Sequence, residues 1–307
     1  MKILHFVSTG HIKTYPLGTP GRFTDLLEAL KDDGHENIVL LPEIPVLQAA
    51  LERKEIPFTL TNISFIDNLF RVHFYKKILK TSKPDIVLRY HNDDNDDLDI
   101  LEDSYDGPIR NIMDFYFPVL APDASIKKMD REETLTDPTD FVIGCFAPDQ
   151  NSIDNIDILF QSLPRDIGTT LWFSIDPELS PRIQKMAAEY GMEDKSRFFD
   201  VTVPRGAFYK GCDLIFVPKG EVASDMSFVE ALSLGRPVIS CTSYHQDFAK
   251  GDNLNILKNC NEQQLAAEIR ALSEDEAYRI KLGETGRQVY ENSFTPSSGL
   301  KRLLSHI

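Results

Sequence analysis

DLIFVPKGEVASDMSFVEALSLGRPVIS, residues 213–240, is the stretch that decides the fold. An apolar run opens it, and a second apolar run, rich in β-branched residues, begins at Pro237–Ile239. Between them a polar loop leads into a short amphipathic helix, predicted at about Ser227–Leu234, which Gly235 stops. Strand, loop, helix, glycine and strand form the repeating unit of a parallel sheet. Ligands of such sheets bind beyond the carboxyl ends of the strands, so we expect the loop Lys219–Met226 to lie at a binding site.

The same alternation of apolar runs and amphipathic stretches recurs along the whole chain and predicts an α/β protein of two doubly wound domains. The aperiodic, proline-containing segment Pro118–Asp140 marks the boundary between them. We therefore predict one domain over residues 1–128 and a second over 129–307. The last predicted helix, Ser298–Leu304, is placed to cross back onto the first domain.

The composition excludes several classes of partner. The 307 residues carry a formal net charge of −15, which argues against nucleic acid or an anionic membrane as the main partner. No apolar run is long enough to span a membrane, and the N-terminus reads as a first strand, not as a signal peptide. We expect a cytoplasmic protein.

The four cysteines are widely spaced and form no CxxC pair; they are Cys145, Cys212, Cys241 and Cys260. Three of them lie in or beside apolar runs. We interpret all four as reduced thiols, not as disulfides or zinc ligands.

Two segments of the first half are candidates for a site. The polar loop Ser8–Gly21 follows the first predicted strand, and its Gly18 and Gly21 could turn backbone N–H groups toward an anion. Its spacing is not GxGxxG, so no dinucleotide fold is indicated, and a loop with turn glycines is the alternative. His91 closes the run KPDIVLRYH at 83–91, where it either faces a ligand or serves a structural role.

Three motifs resemble those of the retaining GT-B glycosyltransferases of family 4. They are EALSLGRPVI at 230–239, FYKGCDLIFVP at 208–218 and KPDIVLRYH at 83–91. The resemblance covers about residues 141–295 well and 1–114 loosely. It implies two Rossmann-like domains facing across a cleft. It also implies an enzyme of glycan biosynthesis that moves a sugar from a nucleotide-diphosphate sugar to a glycan, lipid or small-molecule acceptor. Such an enzyme needs no bound metal and no cofactor besides this co-substrate.

The resemblance assigns ribose binding to Glu230, whose carboxylate would accept both ribose hydroxyls. An alternative is structural, because Ser227 and Glu230 also fit the S-x-x-E capping box of a helix N-terminus. The motif has a second acidic position, which Val222 occupies here. We predict that Glu221, one residue earlier, or Asp225 takes that role at the sugar.

The other donor-binding candidates surround these residues. Backbone N–H groups at the predicted helix start, Ser224–Ser227, would hold the diphosphate or the sugar. With His91, Glu221 and Asp225 as the catalytic candidates, the complete donor-binding set is Glu230, Ser224, Met226, Ser227, Gly18, Gly21, Lys219, Val201 and Thr202.

One departure from the family bears on catalysis. The family places an Arg and a Lys in the first turn of the second domain to neutralise the diphosphate, whereas residues 144–152 read GCFAPDQNS. Stabilising the leaving group is usually the largest catalytic contribution in such a transfer. Lys219, Arg22 or Arg205 would have to supply the missing cation.

Two other functions stay open on these residues. One is a weakly active or inactive relative that binds a sugar or a partner. The other is a nucleotide-sugar epimerase or hydrolase, with His91 as a general base.

The basic helix predicted at Leu69–Thr81 is either an ordinary surface helix or a site of peripheral contact with the inner face of a membrane, as family members make.

Overall fold

The computed structural model describes residues 1–7, 20–41, 45–60, 68–90, 105–111, 125–147, 153, 156–200, 202–219, 222–241, 255–257 and 260–305. The chain divides into two compact units. Unit 1 comprises Met1–Leu120 with Phe294–Ile307, and unit 2 comprises Ala121–Ser293.

The described part of unit 1 holds a parallel sheet of five strands. These are β1 (Lys2–Val7), β2 (Glu36–Leu41), β3 (Phe58–Leu60), β4 (Ile86–Tyr90) and β5 (Ile109–Asn111). Their order is β3-β2-β1-β4-β5, so the chain builds outward on one side of β1 and then crosses to the other side. β1 and β4 are therefore neighbours at the point where the strand order reverses.

Helices cover this sheet, namely α1 (Pro20–Asp32), α2 (Pro45–Arg53), α3 (Asn68–Ser82) and the C-terminal helix (Pro296–Ser305). α1 begins with proline, whose missing N–H costs nothing in a first turn. Its apolar residues repeat at i, i+3, i+4 and i+7 and are all buried; they are Phe23, Leu26, Leu27 and Leu30. Leu303 of the C-terminal helix is fully buried in the same core.

The described part of unit 2 holds a parallel sheet of six strands. They are β6 (Phe141–Ala147), β7 (Thr169–Ile175), β8 (Ser196–Asp200), β9 (Leu214–Val217), β10 (Val238–Ser240) and β11 (Asn255–Ile256). Their order is β11-β10-β9-β6-β7-β8. β6, β7 and β9 are buried almost throughout, as expected of parallel strands covered on both faces.

Six helices of unit 2 pack on its sheet in the described residues: α4 (Asp157–Ser162), α5 (Ser180–Glu189), α6 (Arg205–Gly211), α7 (Val222–Ser233), α8 (Glu262–Glu274) and α9 (Glu276–Ser293). α7 ends where Gly235 adopts a φ of +63°, a left-handed conformation that glycine tolerates best. α9 then crosses close to that turn. A Cβ added at Gly283 would lie 2.1 Å from the carbonyl oxygen of Gly235, so the contact needs glycine there.

The predicted start of α7 is wrong. The amphipathic pattern placed it at Ser227, whereas the helix already begins at Val222. No proline or glycine separates Val222 from Ser233, so nothing in this stretch interrupts a helix that starts earlier. Part of the expected loop Lys219–Met226 is therefore helical.

The prediction of four reduced thiols is wrong for two of the cysteines. Cys241 and Cys260 form a disulfide, with their Cα atoms 5.2 Å apart. Cys241 follows β10 and Cys260 precedes α8, and the fold brings these two positions together. They are 19 residues apart in the sequence, a spacing that is not a recognised cysteine motif. Cys145 and Cys212 are free and buried. Disulfides persist mainly in oxidising compartments, so this pair is at odds with the reducing cytosol that the spacing suggested. The cytoplasmic location stays a prediction.

Within the described residues, no helix combines the length and the apolar character needed to cross a membrane.

Candidate functional site

The strand order of unit 2 points to one place for a ligand. From β6 the chain builds outward to β7 and β8, and it then crosses over to β9 on the other side of β6. Doubly wound sheets bind ligands beyond the carboxyl ends of their strands at such a reversal. The segments that follow β8 and β9 lead into α6 and α7, so residues of these two helices are placed to form the site.

Glu230 of α7 contacts two residues of α6. Its side chain is only 9% exposed, and its Oε1 accepts a hydrogen bond from Nη1 of Arg205 at 2.9 Å. Its Oε2 accepts one from the hydroxyl of Tyr209 at 3.0 Å. Arg205 and Tyr209 lie four residues apart on α6 and therefore project from the same side of that helix. Both carboxylate oxygens thus have partners within the protein.

Arg205 also contacts the central strand of the sheet. Its guanidinium lies 4.7 Å from the centroid of the Phe146 ring, close to the carboxyl end of β6. A cation over an aromatic face is held by the ring's electron density. The Arg205 side chain is 32% exposed, in contrast to Glu230. The guanidinium of Arg205 therefore contacts the buried carboxylate of Glu230 and is also partly open to solvent. It lies next to β6, where the strand order reverses.

Tyr209 links Glu230 to a second residue of α7. Burial raises the pKa of the Tyr209 hydroxyl well above its ordinary value, and the negative charge of Glu230 raises this pKa further. The hydroxyl therefore stays protonated and donates to Glu230. It also hydrogen-bonds to the fully buried Ser227. Arg205, Tyr209, Ser227 and Glu230 form one connected polar group, which we call the Glu230 cluster.

The structure excludes the capping-box alternative for Glu230. Ser227 lies five residues after the first residue of α7 and so cannot be its N-cap. Ser224, Asp225 and Met226 lie in the first half of α7, and their side chains are outside the described part of the structure.

Lys219 and Thr202 lie in other surroundings. Lys219 is exposed and lines a pocket of about 640 Å³ together with Asp157, Cys241 and Cys260, a lining that does not include Glu230. Thr202 is exposed, and its backbone N–H donates to Asp200 Oδ1 at 2.7 Å in the turn between β8 and α6.

The remaining predicted positions lie at the start of a helix or outside the described residues. Gly21 belongs to the first turn of α1, not to a loop. Glu221, His91, Gly18 and Val201 lie outside the described residues. Of the predicted set, the structure thus brings together Glu230 and Ser227, and it adds Tyr209, which we did not predict. Tyr209 belongs to the motif FYKGCDLIFVP and follows Arg205 by four residues, but neither feature had assigned it a role at the site. In the described part of the chain, no group of three His, Cys, Asp or Glu side chains is placed to hold a metal ion.

Comparison with solved structures extends over the whole chain. A glycosyltransferase from Rickettsia africae superimposes with a TM-score of 0.78 at 13% identity, covering 99% of this chain and 97% of that one. The Anabaena protein HepE, in complex with UDP, gives 0.70 at 15% identity and covers 99% of both chains. The lipopolysaccharide outer core galactosyltransferase WaaB gives 0.71 at 13% identity, covering 100% and 99%.

The chain has the GT-B fold. Two Rossmann-like units with parallel sheets confirm the fold class that the motifs implied. No protein-family model and no curated protein sequence matches the chain. At identities of 13–15% the likeness shows the fold alone, and the function has to be argued from the site.

Proposed function

We propose that this GT-B protein is a retaining glycosyltransferase that uses a nucleotide-diphosphate sugar, with a UDP-sugar as the first donor to test. The observation that carries the proposal is the buried carboxylate of Glu230, held next to an arginine where the strand order of unit 2 reverses. A carboxylate can accept two hydroxyl hydrogens, and a guanidinium can bind phosphate oxygens. A nucleotide diphosphate carries both partners, the ribose diol and the phosphates.

Burial strengthens such contacts. Glu230 is 7% exposed as a residue, so a hydroxyl that donates to it there competes with little water. A hydrogen bond to a charged group contributes about 1.5–3 kcal/mol, which corresponds to roughly a tenfold to hundredfold change in affinity. Glu230 is therefore the side chain whose removal should be most visible in nucleotide binding.

The choice of uridine rests on a structural relative. HepE has been crystallised with UDP, with UDP and glucose, and with UDP-glucose. Its chain and this one superimpose over 99% of their lengths. Carrying its ligand over to this protein is a proposal that a nucleotide series tests directly.

In the proposed reaction the acceptor oxygen bonds to the anomeric carbon while the bond from that carbon to the phosphate oxygen breaks. The new bond forms on the face that the leaving group vacates, and a phosphate oxygen takes the acceptor's proton. The leaving nucleoside diphosphate gains negative charge, and a cation beside it stabilises that charge. The acceptor is a glycan, a lipid or a small molecule.

Nucleotide binding tests the proposal first. We expect UDP to raise the thermal unfolding temperature more than ADP or GDP, since ligands of the native state stabilise it by mass action. Glu230→Gln keeps the side chain's shape and removes its charge, so we expect it to weaken UDP binding by about tenfold to a hundredfold. Glu274→Gln, at an exposed carboxylate on α8, is the matched control and should bind UDP like the wild type.

Two results would contradict the proposal. If none of the three diphosphates stabilised the protein, the result would favour the alternative of a sugar- or partner-binding protein without transferase function. Rapid breakdown of UDP-glucose without an acceptor would instead indicate a hydrolase or an epimerase. Analysing the anomeric configuration of a transferred sugar by NMR then tests retention.

A further inference from the structure

We infer that Arg205 is the diphosphate-binding cation of this site and that it exchanges its contact with Glu230 for the phosphates when a nucleotide binds. The inference rests on the proposed function, and it adds a specific role for one residue and a change of partner.

The first argument is competition at Glu230. Its Oε1 is held by Arg205 and its Oε2 by Tyr209. A ribose diol that binds Glu230 must therefore share or displace an existing donor. Tyr209 is fully buried and anchored to Ser227, whereas the Arg205 side chain is 32% exposed. Arg205 is accordingly the partner that can move, provided that its charge finds another anion.

The second argument is the position of Arg205. It is the first residue of α6, and its guanidinium lies over the Phe146 ring at the carboxyl end of β6. The ring provides a flat surface on which the guanidinium can turn without losing the cation–π contact. A planar guanidinium binds two phosphate oxygens at once, which a single ammonium group cannot do with the same geometry.

The third argument compares Arg205 with three other cations of unit 2, each of which has other surroundings. Lys219 lines the pocket beside the disulfide. Lys210, also on α6, donates to the backbone carbonyl of Ile126 at 2.7 Å. Arg197, on β8, donates to the backbone carbonyls of Thr134 and Asp194. Among these cations, Arg205 is the one that contacts Glu230.

An exchange of this kind has a distinctive consequence for binding. A nucleoside has no phosphate to attract Arg205, so in the wild type it must compete with the ion pair for Glu230. Removing the guanidinium takes away both the phosphate partner and the competitor. The affinity for UDP should then fall while the affinity for uridine stays the same or rises. A residue that only supports the fold would change both affinities in the same direction.

The experiment measures UDP and UMP binding by isothermal titration calorimetry and uridine binding by ligand-observed NMR. The proteins are the wild type, Arg205→Gln, Arg205→Lys and the control Arg165→Gln. Arg165 lies in the turn before β7, at the amino end of that strand, whereas Arg205 lies over Phe146 at the carboxyl end of β6. We expect Arg205→Gln to bind UDP at least about tenfold more weakly, the loss expected for one charge-assisted contact. Uridine should bind it at least as well as the wild type, Arg205→Lys should be intermediate for UDP, and Arg165→Gln should be unchanged.

An unchanged ratio of UDP to uridine affinity in Arg205→Gln would overturn the inference, whether both affinities stay the same or both fall by the same factor. Circular dichroism and thermal unfolding establish whether each variant folds. If Arg205→Gln does not fold, the ratio in Arg205→Lys decides, and a wild-type ratio there overturns the inference. A wild-type protein that binds no UDP refutes the proposed function itself, whereas a wild type that binds UDP with an unchanged ratio in the variant refutes only the role of Arg205.

Discussion

His5 should make the stability of the first unit depend on pH. The side chain is fully buried on β1, where its ring meets that of Phe23 edge-on. Its Nε2 lies 2.9 Å from Oδ1 of Asn37. The amide nitrogen of Asn37 donates to the carbonyl of Leu27 at 2.8 Å, so its oxygen is left to accept from the histidine. The neutral ring is thus protonated at Nε2. The hydrogen bonds of His5 and Asn37 together connect β1, β2 and α1.

Burial lowers the pKa of His5 from 6.5 to about 4, and the hydrogen bond to Asn37 opposes part of that change. The unfolded chain therefore takes up a proton near pH 6.5, whereas the folded protein does so only near pH 4. In this interval the unfolded state binds more protons, so acidification favours unfolding. The difference between the two pKa values, at about 1.36 kcal/mol for each pKa unit, comes to about 3 kcal/mol. This stability is fully present above pH 6.5 and is lost as the pH falls toward 4.

The assay compares the wild type with His5→Gln, which can still donate to Asn37 but does not titrate. Native-state hydrogen exchange of peptides covering β1 and β2, corrected for intrinsic exchange rates, gives the free energy of opening between pH 7.5 and 4.5. The other six histidines and the carboxylates titrate in both proteins, so their contributions cancel in the difference. We expect the wild type to lose about 2–3 kcal/mol more than the variant over this range. Parallel pH curves for the two proteins would refute the reasoning.

Two further predictions concern unit 2, whose buried Trp172, the only tryptophan of the chain, reports its unfolding by fluorescence. Gly283→Ala should destabilise the unit by about 1–2 kcal/mol, because a Cβ there meets the carbonyl oxygen of Gly235. The cost of this overpacking outweighs the gain in helix propensity. An unchanged melting temperature would contradict the prediction. Tyr209→Phe should cost about 1.5–3 kcal/mol by removing the donor to Glu230. Its melting temperature should fall by about 2–4 °C per kcal/mol, and a stability equal to the wild type would contradict the contact.

The periodicity of the chain predicted most helices and strands, because local patterns report which face of an element is buried. The apolar positions of α1 are an example, since all four that the pattern selects, from Phe23 to Leu30, are buried. The same logic misplaced the start of α7. Its first half has no clear apolar face, and the pattern therefore began only at Ser227.

The candidate site shows the limit of the sequence more sharply. Glu230 could be selected from its motif, and Arg205 could be named only as one of three possible cations. Their 2.9 Å contact, and the contact of Glu230 with Tyr209, depend on how α6 and α7 approach each other. Helix packing is set by side chains distant in sequence, so no spacing along the chain encodes which oxygen of Glu230 meets which donor.

The sequence by itself determined the α/β class, the alternation of strands and helices, and the GT-B signature, because each depends on residues close together in the chain. Only the tertiary structure decided the order of the strands, the pairing of Cys241 with Cys260, and the hydrogen bonds that Arg205 and Tyr209 donate to Glu230. The disulfide and the contacts of Glu230 join residues 19 to 25 positions apart in the sequence. The strand order depends on where the chain crosses from one side of a sheet to the other. Such contacts form when the chain packs into a common core, and local propensity does not specify them.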